Sequence, residues 1–431
     1  ECFRMDTIAP KTPATLPFAA WQALSPAQAA REVQARVTAL PPALRTAALA
    51  WLKPERDLGA DLGIVDAKLP MHGVPYLLKD LFDLSGVPTR AGSTFLHQLR
   101  GLPSRDSALV RRLRALGATC AGKTHLVEFA SGLTGENPHY GDCPHPFFPD
   151  RLSGGSSSGS AAMVAAGVVP FAVGTDTGGS VRVPAAWCGL HGFRLTPGDE
   201  LIRDAVPLAP TMDTAGWFTA DAGDMVAVWQ AVVGQSPKQA KLRGCHLPLS
   251  ALLPGAEPET ALSCDTAAAK LCPPADIPTQ AKLLQAWRDV VDAYVTIGMS
   301  EAHHVHRDWL APYHEHYDPV IWRRFSDAAH YPPEHIAKAR AKLMEVRDGF
   351  AGFFATHDFL VLPAVPRGAP HKADCTPELR RNIITLTAPA SLAGLPVLSI
   401  PVPLPSGLTA GLQIILPAAN SPVVPWVLKA R

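Results

Sequence analysis

The sequence predicts an α/β fold, a single large domain in which a β-sheet is covered by helices on both faces. Three observations predict it. Strand-like and helix-like segments alternate from about residue 73 to 234, the pattern of strands joined through helical crossovers. Hydrophobic residues make up 47% of the 431 and charged residues 18%. Such a chain is too apolar to be disordered and long enough to bury a core without staples. The 43 prolines and 33 glycines are too many for a helical bundle and follow no collagen period, so they read as loops around that core.

Residues 20–50 are rich in Ala, Leu and Arg at helical spacing and predict peripheral helices. Val74-Pro75-Tyr76-Leu77-Leu78-Lys79 reads as a strand. Ser107 to Leu116 is amphipathic and stops at Gly117, which predicts a helix, and Ala118 to Lys123 then reads as a strand. Residues 131–160 are rich in Gly, Ser, Pro, His and Asp and predict a loop. Ser160 to Gly167 predicts a helix of small residues and Val168 to Gly174 a buried strand. Pro-rich residues 236–280 predict irregular chain and 280–355 mainly helix. Phe359 to Pro363 and Val397 to Val402 restore strand character. Length alone allows two to three domains of about 150 residues. No repeat is evident, so residues 1–431 read as one domain. Its core spans about 73–234, a variable helical block at about 236–355 lies on it as an insertion or lid, and about 356–425 complete it.

Basic and acidic residues nearly cancel, 39 against 38, which argues against a bulk electrostatic nucleic-acid binder. The cysteines Cys2, Cys120, Cys143, Cys188, Cys245, Cys264, Cys272 and Cys375 are scattered and form no C-x-x-C pair, so they read as reduced core thiols. Residues 1–17 show no charged segment leading into an apolar stretch, so no signal peptide is expected. The apolar run Ala161 to Val173 is too short for a bilayer and contains Pro170. The expectation is a cytoplasmic monomer or homodimer with no nucleic-acid or membrane partner.

Two motif matches fail on context. Gly117-Ala118-Thr119-Cys120-Ala121-Gly122-Lys123-Thr124 fits the phosphate-binding pattern G-x-x-x-x-G-K-[ST], but that loop must follow a strand and open a helix. Here a helix precedes it and the segment itself reads as a strand. Gly155-Ser156-Ser157-Ser158-Gly159 contains G-x-S-x-G, the nucleophile elbow, which needs a strand running into the serine. The proline-bounded loop Pro146 to Arg151 precedes it instead.

Two segments resist dismissal. Ser153-Gly154-Gly155-Ser156-Ser157-Ser158-Gly159-Ser160-Ala161-Ala162 has the composition of a linker, yet it sits between apolar helices and strands of the core. Gly174-Thr175-Asp176-Thr177-Gly178-Gly179-Ser180-Val181-Arg182-Val183-Pro184-Ala185 follows a strand. It reads either as a plain turn or as a nest of unpaired backbone N–H groups. A nest binds an anion, including the oxyanion of acyl transfer. A serine at that nest is a natural nucleophile, provided a base activates it.

These two segments, with Gly73-Val74-Pro75-Tyr76-Leu77-Leu78-Lys79-Asp80, closely resemble the fingerprint of the amidase signature family. The resemblance runs from Gly73 to about Gly234 and resumes at Thr387 to Ile415, where Leu392-Ala393-Gly394-Leu395-Pro396 and Gly411-Leu412-Gln413-Ile414-Ile415 match. Gly122-Lys123-Thr124 with Glu128-Phe129-Ala130 belongs to the same pattern, which accounts for the phosphate-loop match.

The resemblance implies a mixed central sheet and a Ser–cis-Ser–Lys triad without cofactor or metal. Ser180 matches the nucleophile, Ser156 the bridging serine on a cis peptide and Lys79 the general base. The backbone N–H groups of Thr177, Gly178, Gly179 and Ser180 match the oxyanion hole. Asp176 and Arg182 match loop supports, and Ala130, Ser131 and Gly132 a loop lining the acyl site. Ser157, with Ser158 and Ser160, reads as a helix cap or loop hydrogen-bonder. The physics asks one thing of Lys79. A free lysine titrates near ~10.4 and must come down by roughly three units, about 4 kcal/mol, to be neutral near pH 7. Burial among Tyr76-Leu77-Leu78 and Leu81-Phe82 can do this if Asp80 and Asp83 point elsewhere.

The activity so implied is hydrolysis of the C–N bond of small or medium neutral amides through an acyl-enzyme. The same triad suits a carbamate (urethane) hydrolase or an esterase, and the signature also occurs in the amidase subunit of a tRNA-dependent amidotransferase. Other candidates are weaker. His303, His304, His306, His314 and His316, with Glu315 and Asp318, lack H-E-x-x-H and read as exposed helical histidines rather than metal ligands. Trp287, Trp309, Tyr313, Tyr317, Trp322 and Phe325 read as core, with some at a leaving-group pocket. Cys188 reads as a buried thiol and not a nucleophile.

Overall fold

The computed structural model describes residues 15–234, 236 and 241–429, so Cys2 and the residues around it lie outside the described part. Ten strands of the described residues form one sheet. They are β1 (Leu49–Leu52), β2 (Pro75–Lys79), β3 (Thr119–Thr124), β4 (Phe171–Asp176), β5 (His191–Arg194), β6 (Thr214–Thr219), β7 (Gly244–His246), β8 (Phe359–Pro363), β9 (Val397–Pro403) and β10 (Thr409–Ile415). Their spatial order is β1-β3-β2-β4-β6-β5-β9-β10-β8-β7. β2 runs parallel to both β3 and β4, and β7 runs parallel to β8. The remaining pairs are antiparallel, so the sheet is mixed.

Strand alternation explains how the sheet is buried on both faces. Tyr76 and Leu78 of β2 join Phe171 and Val173 of β4 in one apolar cluster, while Leu77 and Ala172 belong to another with Phe218. A strand covered on both sides reads as a nearly continuous apolar run, as β2 does. The helix Ser158–Ala165 is buried all round, and a methyl on Gly159 would overlap the Ala48 carbonyl. Its small residues let it lie directly against the chain that leads into β1.

The Pro-rich stretch corrects the sequence reading. Residues 236–280 were expected to be irregular, but they hold β7 and the helix Pro258–Ala269, and a second helix, Ile277–Ala286, begins there. Pro258 and Pro278 occupy the first turns of those helices, where the missing N–H has no intrahelical partner to lose. Proline density here marks helix starts. β4 also begins later than its apolar run, at Phe171: Gly167 has φ 73° and Val168 N–H donates to the Met163 carbonyl, which makes 168–170 the turn after the helix. The helices Val290–Leu310, Pro319–Asp327 and Pro333–Phe354 share one apolar cluster with Leu360 and Leu362 of β8, Val397 of β9 and Ile415 of β10. Among the described residues no helix is long and apolar enough to cross a membrane.

Candidate active site

Lys79 is the last residue of β2 and is fully buried. Its Nζ donates to Ser156 Oγ at 2.8 Å, Ser157 Oγ at 2.9 Å and Thr175 Oγ1 at 2.7 Å. The acidic neighbours turn away as the burial argument requires. Asp80 pairs with Lys123 at 2.6 Å, and Asp83 pairs with Arg100 at 2.9 Å and accepts from Thr89. With no carboxylate bound to the amine, desolvation dominates and lowers the Lys79 pKa to about 7, against the smaller opposing pull of Asp176 and Asp213.

The serines come from two loops that converge on this lysine. Ser156 and Ser157 end the long loop ahead of the helix Ser158–Ala165, and the Gly155–Ser156 peptide is cis. Ser157 makes no cap bond to that helix. Its Oγ donates to the Thr175 carbonyl and accepts from Thr175 N–H, so it fastens Lys79 to β4. Ser180 lies in the turn after β4, and its carbonyl accepts from Ser157 N–H at 3.4 Å.

Asp176 shapes the Ser180 turn. Its carboxylate accepts from the N–H groups of Gly179 at 2.8 Å and Val181 at 3.0 Å, and it is clamped by Arg182 and Arg194, each at 2.9 Å. Burial alone would raise its pKa. The two guanidiniums outweigh burial and hold the carboxyl far below its ordinary range. Gly179 sits at φ 122°, a conformation that glycine alone adopts freely. Its N–H donates to Asp176, which sets it apart from the other three N–H groups of the expected oxyanion set. The N–H groups of Thr177, Gly178 and Ser180 have no hydrogen-bond partner among the described residues. Thr387, from the helix Pro377–Ala393, donates to the Gly178 carbonyl at 2.7 Å and fixes that peptide.

Ser180 lines a cavity of about 580 Å³ together with Ala130, Ser131 and Gly132. Phe129 and Ala130 have φ of 47° and 59°, an uncommon region for residues with side chains. A second cavity of about 290 Å³, lined by Thr175, Thr177 and Asp213, meets the first at Ala130 and Leu208.

Sequence reasoning missed several members of this group. Tyr294 lines the larger cavity so close to the turn that a methyl on Gly178 would overlap its hydroxyl. Burial, then Asp176 and Asp213, raise its pKa well above the ordinary value. Arg194 and Asp213 lie outside every motif, and Thr175, although inside the Gly174-to-Ala185 run, has no role that its pattern assigns beyond its strand position beside Asp176.

The histidine block needs correction. His306 is fully buried, its Nδ1 is 2.9 Å from Tyr317 Oη, and it packs edge-on against Phe129. Burial pushes its pKa down to about 3. It is part of the core, because an imidazole with one satisfied nitrogen packs as an aromatic ring. No group of three or more His, Cys, Asp or Glu side chains among the described residues is placed to hold a metal ion. The phosphate-loop match lies along β3, with Lys123 buried against Asp80 and Thr89. Cys188 is buried, and burial raises its thiol pKa.

Comparison with known proteins agrees with this architecture. The Amidase family model matches residues 26–260 and 277–421. The chain is 32% identical over 412 residues to the indoleacetamide hydrolase of Pseudomonas savastanoi, covering 89% of each chain. It is 31% identical over 388 residues to a glutamyl-tRNA(Gln) amidotransferase subunit of Moorella thermoacetica, covering 80% of this chain and 79% of that one. A solved amidase crystal structure superposes with a TM-score of 0.81 at 29% identity, over 94% of this chain and 95% of that one. With its mixed ten-stranded sheet and a family match over most of its length, the chain belongs to the amidase signature family of hydrolases acting on C–N bonds.

Proposed function

We propose that this hydrolase cleaves small or medium amides through an acyl-enzyme on Ser180, with Ser156 as the bridge and Lys79 as the base. The observation that carries the reading is the buried Lys79 amine, which combines a pKa near 7 with a 2.8 Å contact to Ser156 Oγ. In the neutral amine a lone pair replaces one N–H, so Ser156 can donate to Lys79 while accepting from Ser180. Ser180 Oγ then bonds to the amide carbon as its proton passes to Ser156 and the Ser156 proton to Lys79. The oxyanion meets the free N–H groups of the Ser180 turn. Collapse breaks the C–N bond, and the reverse relay protonates the leaving amine. Water repeats the sequence on the acyl-enzyme, releasing the acid and restoring Ser180.

The test is turnover of a simple aryl amide by the isolated chain. Ser180→Ala should abolish it with the circular dichroism unchanged. Turnover that appears only when partner proteins are added would favour a role within an amidotransferase. Esters and carbamates of matched acyl group, run beside the amide, separate amidase from esterase and urethanase activity. Activity should resist chelators.

A further inference from the structure

One wall of the cavity in front of Ser180 plays no part in the chemistry at Lys79. Arg324, on the helix Pro319–Asp327, and Arg381, on the helix Pro377–Ala393, both line it, beside Tyr294 and Tyr331. A third arginine of the lining, Arg380, is held by Glu136 at 2.7 Å. Arg324 differs. Among the described residues no carboxylate lies within 4.0 Å of its guanidinium, and its one hydrogen bond is a long 3.4 Å contact to the Ser131 carbonyl.

The nearby acids are accounted for. Asp318 caps the start of the same helix through Val320 N–H and Glu136 serves Arg380, while Asp327 and Glu378 line the same cavity, are exposed and lie beyond 4.0 Å of the Arg324 guanidinium. Burial first, then the neighbouring Arg380, weaken the hold of half-buried Arg324 on its proton, against the smaller opposing pull of Asp318 and Glu136. A half-buried guanidinium with no carboxylate in contact is stabilised when an anion joins it. Its planar fork suits a carboxylate, which it can bind through two parallel hydrogen bonds.

We propose that the cavity accepts amides whose acyl part carries a carboxylate, and that Arg324 receives that carboxylate while Arg381 adds positive potential. The proposal rests on Ser180 being the nucleophile and specifies the substrate class. It departs from the neutral substrate suggested by the balanced charge of the whole chain, because a net charge of +1 says nothing about a single wall.

Binding separates this proposal from the chemistry. Calorimetric titration of the Ser180→Ala chain would compare malonamate, succinamate, glutaramate and adipamate with the corresponding neutral diamides. At least one acid should bind about tenfold tighter than its diamide, a difference of ~1.4 kcal/mol. Arg324→Gln in the same background should erase that preference with unchanged circular dichroism. Arg324→Lys, which keeps the charge without the fork, should keep part of it. Equal affinity across the series, or a preference that survives Arg324→Gln, would overturn the proposal. Turnover of the tighter-binding monoamide acid by the unsubstituted chain reads the nucleophile separately. If the carboxylate preference holds but turnover is absent, the anion site stands and the acyl-enzyme reading falls.

Discussion

Lys79 Nζ lies 2.8 Å from Ser156 Oγ, and neither side chain reaches solvent. Burial brings the Lys79 pKa to about 7, so the acid and base forms of the amine are both populated near neutral pH. Only the neutral form accepts a proton. The kcat/KM for an aryl amide should therefore fall as pH drops through about 7, with the slope of a single ionisation, and level off above. Lys79→Ala should lower kcat/KM by about three orders of magnitude and remove that limb from the residual activity. The same group has a stability signature. The unfolded chain keeps this lysine protonated up to ~10.4, so between there and the folded value the unfolded state binds more protons. Its contribution to stability should rise with pH across that window, which urea titrations at several pH values would measure.

Ser157 accepts one of the three Lys79 hydrogen bonds. An acceptor of that bond favours the ammonium form, so Ser157→Ala should move the acid limb to lower pH. A fall in kcat with the limb unmoved would mean that Ser157 only supports the loop.

Asp176 is the sole carboxylate paired with Arg182 and Arg194 among the described residues. Asp176→Ala leaves two buried guanidiniums without a counter-ion and should cost about 3–5 kcal/mol in urea unfolding. Activity should fall as well, because the Gly179 and Val181 N–H groups lose the acceptor that shapes the Ser180 turn.

Gly178 faces the Tyr294 hydroxyl with no room for a methyl between them. Gly178→Ala should cut kcat by about a hundredfold, the scale seen when one oxyanion donor is lost. Adding Tyr294→Ala should recover part of that loss, and the two effects should be non-additive in a double-mutant cycle.

Lys123 belongs to the fold. Lys123→Met strands Asp80 in the core and should destabilise by about 3–5 kcal/mol. Nucleotide should give no binding heat with the unsubstituted chain.

Much of the candidate site is legible in the sequence because its residues fall in short local segments. Lys79 ends an apolar strand, Ser156 sits in a Gly/Ser-rich run, and Ser180 follows a strand that ends in Thr-Gly-Gly. What escaped depends on distant chain segments. Tyr294 and Arg324 reach the cavity from helices more than a hundred residues after Ser180, with no local pattern to mark them. Arg194 reaches Asp176 through the packing of β5 in the sheet centre. His306 looked exposed because its neighbours are polar, but helical spacing puts it on the inward face with Ala302 and Leu310. The hydrogen bond from Gly179 N–H to Asp176 follows from the turn geometry, which composition does not encode.

Mass analysis of the chain quenched during turnover of an aryl amide shows directly whether Ser180 carries the acyl group. An acyl adduct should appear on the peptide containing Ser180, be absent from Ser180→Ala and be strongly reduced in Lys79→Ala. An adduct on another residue, or turnover by Ser180→Ala at a rate close to that of the unsubstituted chain, would contradict Ser180 as the nucleophile.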